Sequence, residues 1–136
     1  MASLNTTEDL YAFLSLTKED VQQSVIQTAI DTANEIVVAF APDDGSDRSS
    51  RMDTVRKLAE KYLAAAEIFL TFANLFFMSQ PPIRILNVLN FGAGADSPTP
   101  TELLSSIDRV AEMYHAKGMY WLKRVKPVTT TIRAGS

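Results

Sequence analysis

The chain contains no cysteine and a single histidine, His115. The first absence excludes disulfides and thiolate chemistry, and it leaves the redox compartment open. The second leaves too few nitrogen ligands for a zinc-type site. His115 stands between Tyr114 and Ala116 on a predicted helix, where a lone histidine is more often a packing or surface residue than a general base. No serine lies in a Gly-x-Ser-x-Gly elbow, and no Lys-Ser/Thr pair follows Gly92 and Gly94, so acyl-transfer and phosphate-loop motifs are both missing. Asp43, Asp44 and Asp47 surround Gly45, but the alternating ligands and closing glutamate of a calcium loop are not there. Glu60 and Glu67 lack the histidine motif of a di-iron bundle. The sequence thus names no catalytic, cofactor-binding or metal-binding residue, and a non-enzymatic role is expected.

Long uninterrupted apolar runs are also missing. Residues 62–78 come nearest, but Glu67, Thr71 and Asn74 break the run and Pro81-Pro82 closes it, which argues against a membrane span. The first dozen residues carry Glu8 and Asp9 and no positive charge, so no secretory leader is expected, and an intracellular protein, or one released without secretion, is the default. Positive charge is scarce in the first third of the chain. Residues 1–47 hold nine acids and one base, a net of −8, whereas residues 48–100 carry +2 and residues 101–136 carry +3. One end can meet the other end of a neighbour or an acidic partner; solvated faces are the plain alternative. Nucleic-acid binding fits poorly, because the protein is acidic and its bases are spread along the chain.

What is present is helical periodicity. Thr6-Thr7-Glu8-Asp9 is a start signal, followed by Leu10, Phe13 and Leu14 at helical spacing. Thr17-Lys18-Glu19-Asp20 repeats the signal ahead of Val21, Val25, Ala29, Ala33, Val37 and Phe40, with Gln23, Gln27, Asp31 and Asn34 opposite. This second helix ends before Pro42, and 42–50 is a loop by composition. The stretch 53–79 predicts a long helix, apolar on most sides, that the rest of the chain packs around. Its polar positions Glu60, Glu67, Thr71 and Asn74 fall in one stripe, a candidate groove or subunit contact. Phe69, Phe72, Phe76 and Phe77 add more aromatic surface than one small bundle needs, so with Glu67 they are candidates for a subunit interface. Residues 83–91 are ambiguous and lean to a short helix. Thr99-Pro100-Thr101-Glu102 opens a last helix to about Arg124, lined by Leu103, Ile107, Val110, Tyr114 and Trp121. Beyond Pro127 the chain is β-prone and polar. The expected fold is all-α: an elongated bundle of about four to five helices over 1–126, with a buried central helix and an extended tail at 127–136.

The opening Glu8–Asp20 segment, EDLYAFLSLTKED, followed by Val25–Ala33, VIQTAIDTA, resembles the start of tailed-bacteriophage head–tail adaptor (connector) proteins. There a short helix ends in a leucine-containing turn, acids follow, and a long helix carries alanine every fourth residue. The resemblance covers most of the chain in layout and residues 7–33 in sequence texture. It implies a virion protein of the neck, assembled in the host cytoplasm as a ring of about twelve copies. Its implied partners are the portal protein above and a neck or tail-completion protein below, with double-stranded DNA passing through unbound. Val128, Thr129, Thr130, Thr131, Ile132 and Arg133 would dock into the portal or a neighbouring subunit. Asp31, Glu35, Asp43, Asp44 and Asp47 would be candidates for the channel lining. No cofactor and no membrane is implied. The alternative is a small helical-bundle regulator or scaffold that binds a partner protein along the Glu60–Asn74 face.

Overall fold

The computed structural model describes residues 3–40, 50–75, 85, 86, 89 and 99–125. The fold is all-α, with no strand among the described residues. The helices are α1 (Thr7–Leu14), α2 (Gln23–Phe40), α3 (Ser50–Leu75) and α4 (Pro100–Val125). At 26 residues each, α3 and α4 are rods of about 39 Å. They pack along one another, α2 packs on α3, and α1 touches both α2 and α3. The central position of α3 is as the sequence predicts. No described helix is long and apolar enough to cross a membrane.

Two helix starts follow local chemistry. The Thr6 hydroxyl accepts from Asp9 N–H at 3.2 Å, while Thr6 N–H donates to the Asp9 carboxylate at 2.9 Å. Thr99 and Glu102 form the same reciprocal pair at 3.1 and 2.9 Å, with Pro100 in the first helical position. The Thr6 N–H holds the Asp9 carboxyl below its ordinary 3.8; partial burial opposes this and Lys57 adds to it. This cap therefore contributes stability above pH 3.8 and fades as pH falls through the lowered value. Helix α1 ends in a Schellman turn. Ser15 adopts a left-handed conformation (φ 57°), Leu16 N–H donates to Tyr11 O, and Ser15 N–H donates to Ala12 O.

The start signal at Thr17 behaves differently from expectation. Asp20 caps Thr17 N–H at 2.9 Å, but the turn closes after Val21 N–H donates to Thr17 O. The Val21 carbonyl is claimed by the buried Tyr11 hydroxyl at 2.6 Å, and α2 begins afresh at Gln23. Two side chains of α2 also change sides. Asn34, placed by pattern on the polar face, is buried, and Phe40 is 45% exposed.

The core gathers Leu10 and Leu14 of α1 and Ile26, Ile30 and Val37 of α2. From α3 and α4 it takes Leu63, Ile68, Phe69, Phe72, Ile107 and Leu122. Ile85 and Leu89 are buried against it, joined by a hydrogen bond from Leu89 N–H to Ile85 O at 3.0 Å, which is one helical turn. The leaning of 83–91 toward helix agrees with this turn; the other residues of that stretch lie outside the described set.

α3 and α4 pack tightly against each other at Gly118. A Cβ there would stand 2.6 Å from Leu63 Cγ and 3.2 Å from Leu63 N. Leu63 is buried and cannot swing aside. Gly118→Ala gains about 1 kcal/mol of helix propensity but overpacks this crossing by more, for a net loss of about 1–2 kcal/mol in urea unfolding. Combined with Leu63→Ala, it should cost less than the sum of the single changes. A Gly118→Ala protein as stable as the parent would show that the helices can part.

Candidate interaction surface

The most enclosed polar group is Glu60, which has no exposure to solvent. Its carboxylate accepts from Leu4 N–H (3.1 Å) and Asn5 N–H (2.9 Å), and from the side-chain amides of Asn5 (3.0 Å) and Asn34 (2.8 Å). Asn5 also donates to the Lys57 carbonyl at 2.9 Å. Glu60 therefore ties the segment before α1, and α2, to the middle of α3. A buried carboxylate persists when donors replace its hydration in this way. Glu60 is closed to solvent and therefore does not line an open groove with Glu67, contrary to what the polar stripe predicts. Glu67 and Thr71 are half-buried, Thr71 donating to the Glu67 carbonyl at 2.9 Å. The Asn74 side chain lies outside the described residues.

Phe69 and Phe72 require a second correction. Both are fully buried within the single chain, so they are core rather than subunit interface. Their rings meet edge to face at 5.0 Å, and Phe69 stacks on Tyr114 at 5.7 Å. Phe13, Tyr62 and Tyr114 extend the cluster outward, with the Lys61 ammonium over Phe13 and the Lys117 ammonium over Tyr62. Burial pushes the Tyr114 phenol pKa up, and Tyr62 adds to this. The four phenylalanines thus divide: two fill the bundle, while Phe76 and Phe77 lie outside the described residues. So do Asp43, Asp44, Asp47 and the tail positions Val128 to Arg133.

Two exposed helix faces remain, and neither was singled out by the apolar pattern. On α2, Gln27, Asp31 and Glu35 are exposed at four-residue steps, Gln27 donating to Asp31 at 2.9 Å. This places Asp31 and Glu35 on one surface. On α4, Arg109, Met113, Lys117, Tyr120 and Arg124 are all exposed, at steps of three and four residues. Met113 and Tyr120 stand out there at 44% and 50% exposure. Arg124 lies over the Tyr120 ring, 4.2 Å from its centroid, and also hydrogen-bonds its hydroxyl. A cleft of about 630 Å³ runs beside this face, its lining including His115, Met119, Tyr120 and Lys123. From residue 113 to 125 there is no acid. Folding interleaves the bases with apolar side chains on one face. The alternation of Met113, Lys117, Tyr120 and Arg124 at helical spacing is the signal that could have revealed it.

Among the described residues, no cluster of three or more His, Asp or Glu side chains is placed to hold a metal ion. His115 is exposed, in a smaller cleft of about 300 Å³ that it shares with Leu70, Asp108 and Glu112. Both faces are suited chemically to binding another macromolecule: one carries negative charge, the other positive charge with apolar anchors. Comparison with protein-family models, curated proteins and solved structures finds no match to this chain.

Proposed function

We propose that this chain is a structural virion protein, a head–tail adaptor that assembles as a ring between portal and neck or tail and extends the DNA channel. It performs no catalysis in this role. The observation that carries the reading is the α1–α2 unit, on which the resemblance in sequence texture also rests. A short capped helix closes in a turn at Ser15-Leu16, acids follow at Glu19 and Asp20, and a long helix buries Ala29 and Ala33. Two further long helices then complete the expected layout. Asp31 and Glu35 are exposed and keep their place as channel-lining candidates, where negative charge would let DNA slide without sticking.

The test is the solution mass with and without residues 127–136. For a 15.0 kDa chain, a ring of about twelve copies has a mass of about 180 kDa. The full chain is expected as a large uniform oligomer. The truncated chain is expected to lose assembly while keeping its helicity. A truncated protein that assembles fully would defeat the docking role of Val128 to Arg133. The second reading, a bundle that binds one partner protein, is favoured by the exposed Met113 and Tyr120 on α4; it requires a monomer or dimer indifferent to the tail.

A further inference from the structure

We infer that the α4 face carrying Arg109, Met113, Lys117, Tyr120 and Arg124 docks an acidic, amphipathic helix of another protein. These five side chains are all exposed and fall within an arc of about 80° around the helix. Along the axis the order is cation, apolar anchor, cation, apolar anchor, cation, over about 22 Å. Met113 and Tyr120 stand seven residues apart, the interval at which a second helix lying alongside presents the same side again. The complement is therefore defined: a helix of about 15 residues with apolar side chains seven apart and Asp or Glu between and outside them. Arg124 is already held for such a contact. Its guanidinium lies over the Tyr120 ring and bonds the hydroxyl, so it has little freedom left to lose when a carboxylate arrives. The acids of α4 do not compete for these cations. Glu102 is taken up by the Thr99 cap, and Asp108 and Glu112 border the smaller cleft with Leu70.

Two other occupants fit less well. Duplex DNA would use the cations but leave Met113 and Tyr120 uncovered, and residues 1–47 carry −8, which repels DNA from so small a protein. Met, Tyr and Arg are instead the side chains that protein–protein contacts favour. A second copy would have to offer acids and apolar anchors in the matching order. The acidic row of α2 has no large apolar side chain exposed beside Asp31 and Glu35. The inference rests on this chain working through a protein partner, as both readings above have it, and deepens them by naming the surface and the partner's chemistry. It needs no ring, portal or tail.

The experiment adds to the full chain a labelled, side-chain-stapled alanine helix with two leucines seven residues apart and glutamates between and outside them. Binding is read by fluorescence anisotropy at low and moderate salt. Controls are the same composition with the leucine spacing scrambled, and the same helix with lysine for glutamate. The parent is expected to bind the acidic helix about tenfold or more tighter than either control, and more weakly as salt rises. Met113→Ser/Tyr120→Ser and Lys117→Glu/Arg124→Glu, their folding checked by circular dichroism and melting, should each lose about tenfold or more. The charge-reversed variant should instead take the lysine helix, which a merely distorted face would not do. No binding by the parent, or equal binding of the scrambled helix, overturns the inference. Duplex DNA retained by the parent and lost in Lys117→Glu/Arg124→Glu overturns it too, and assigns the face to nucleic acid. Loss of the parent's oligomeric mass in that variant also overturns it, by placing a second copy there. The adaptor reading fails separately: a parent that is monomeric by light scattering and yet binds the acidic helix sinks that reading alone, and a ring that ignores the helix sinks this inference alone.

Discussion

Glu60→Ala is expected to destabilise the protein by several kcal/mol, since each buried donor left without its acceptor costs about 1–3 kcal/mol. The truncation strands the Leu4 and Asn5 N–H groups and the amides of Asn5 and Asn34 in a site closed to water. It also leaves a cavity beside Leu63 and Ala64, where the helix is tightly packed. Glu60→Gln keeps the shape and one acceptor oxygen but turns an amide donor toward other donors, so a smaller loss of about 1–3 kcal/mol is expected. Deleting residues 1–5 removes three of the four donor groups. Its cost should therefore be non-additive with that of Glu60→Ala, since both changes break the same set of bonds. Urea unfolding of the four proteins gives the cycle. Additive losses, or an alanine variant as stable as the parent, would mean that the anchor does not hold the N-terminal segment.

What the sequence revealed and what it hid divide along the range of the interactions. Thr6–Asp9 and Thr99–Glu102 were legible because each cap is complete within four residues. α3 was legible because an almost wholly apolar helix has to sit at the centre of whatever forms around it. Glu60 was misplaced because its partners Asn5 and Asn34 lie 55 and 26 residues away. Spaced seven residues from Glu67, it looks like part of a solvated stripe. Asn34 held the available clue: it follows Ile30 by four and precedes Val37 by three, so it shares their buried face. The start of α2 slipped from Thr17 to Gln23 for a similar reason, since the Tyr11 hydroxyl that takes the Val21 carbonyl comes from another helix. The surfaces were half legible. The charge imbalance between the two ends is plain in the sequence, but a periodicity argument tracks the buried side of a helix and passes over Met113 and Tyr120 on the other.

Phe69→Ala is expected to cost about 3–5 kcal/mol of single-chain stability, the range for emptying an aromatic core site. The ring is fully buried, edge-on to Phe72 and stacked on Tyr114, so its loss also removes the inner support of the Phe13–Tyr62–Tyr114 cluster. Phe69→Leu restores most of the volume and should recover more than half of that loss. The pair of variants separates core from interface. A core phenylalanine lowers the unfolding midpoint by the same amount at every protein concentration, even under conditions where the chain is monomeric. An interface phenylalanine would instead leave the monomer's unfolding unchanged and lower only the assembled mass. A Phe69→Ala monomer that melts with the parent would return this ring to the subunit interface. A concentration-independent loss fixes it in the bundle and leaves Phe40, Leu70, Met113 and Tyr120 as the large apolar side chains exposed among the described residues.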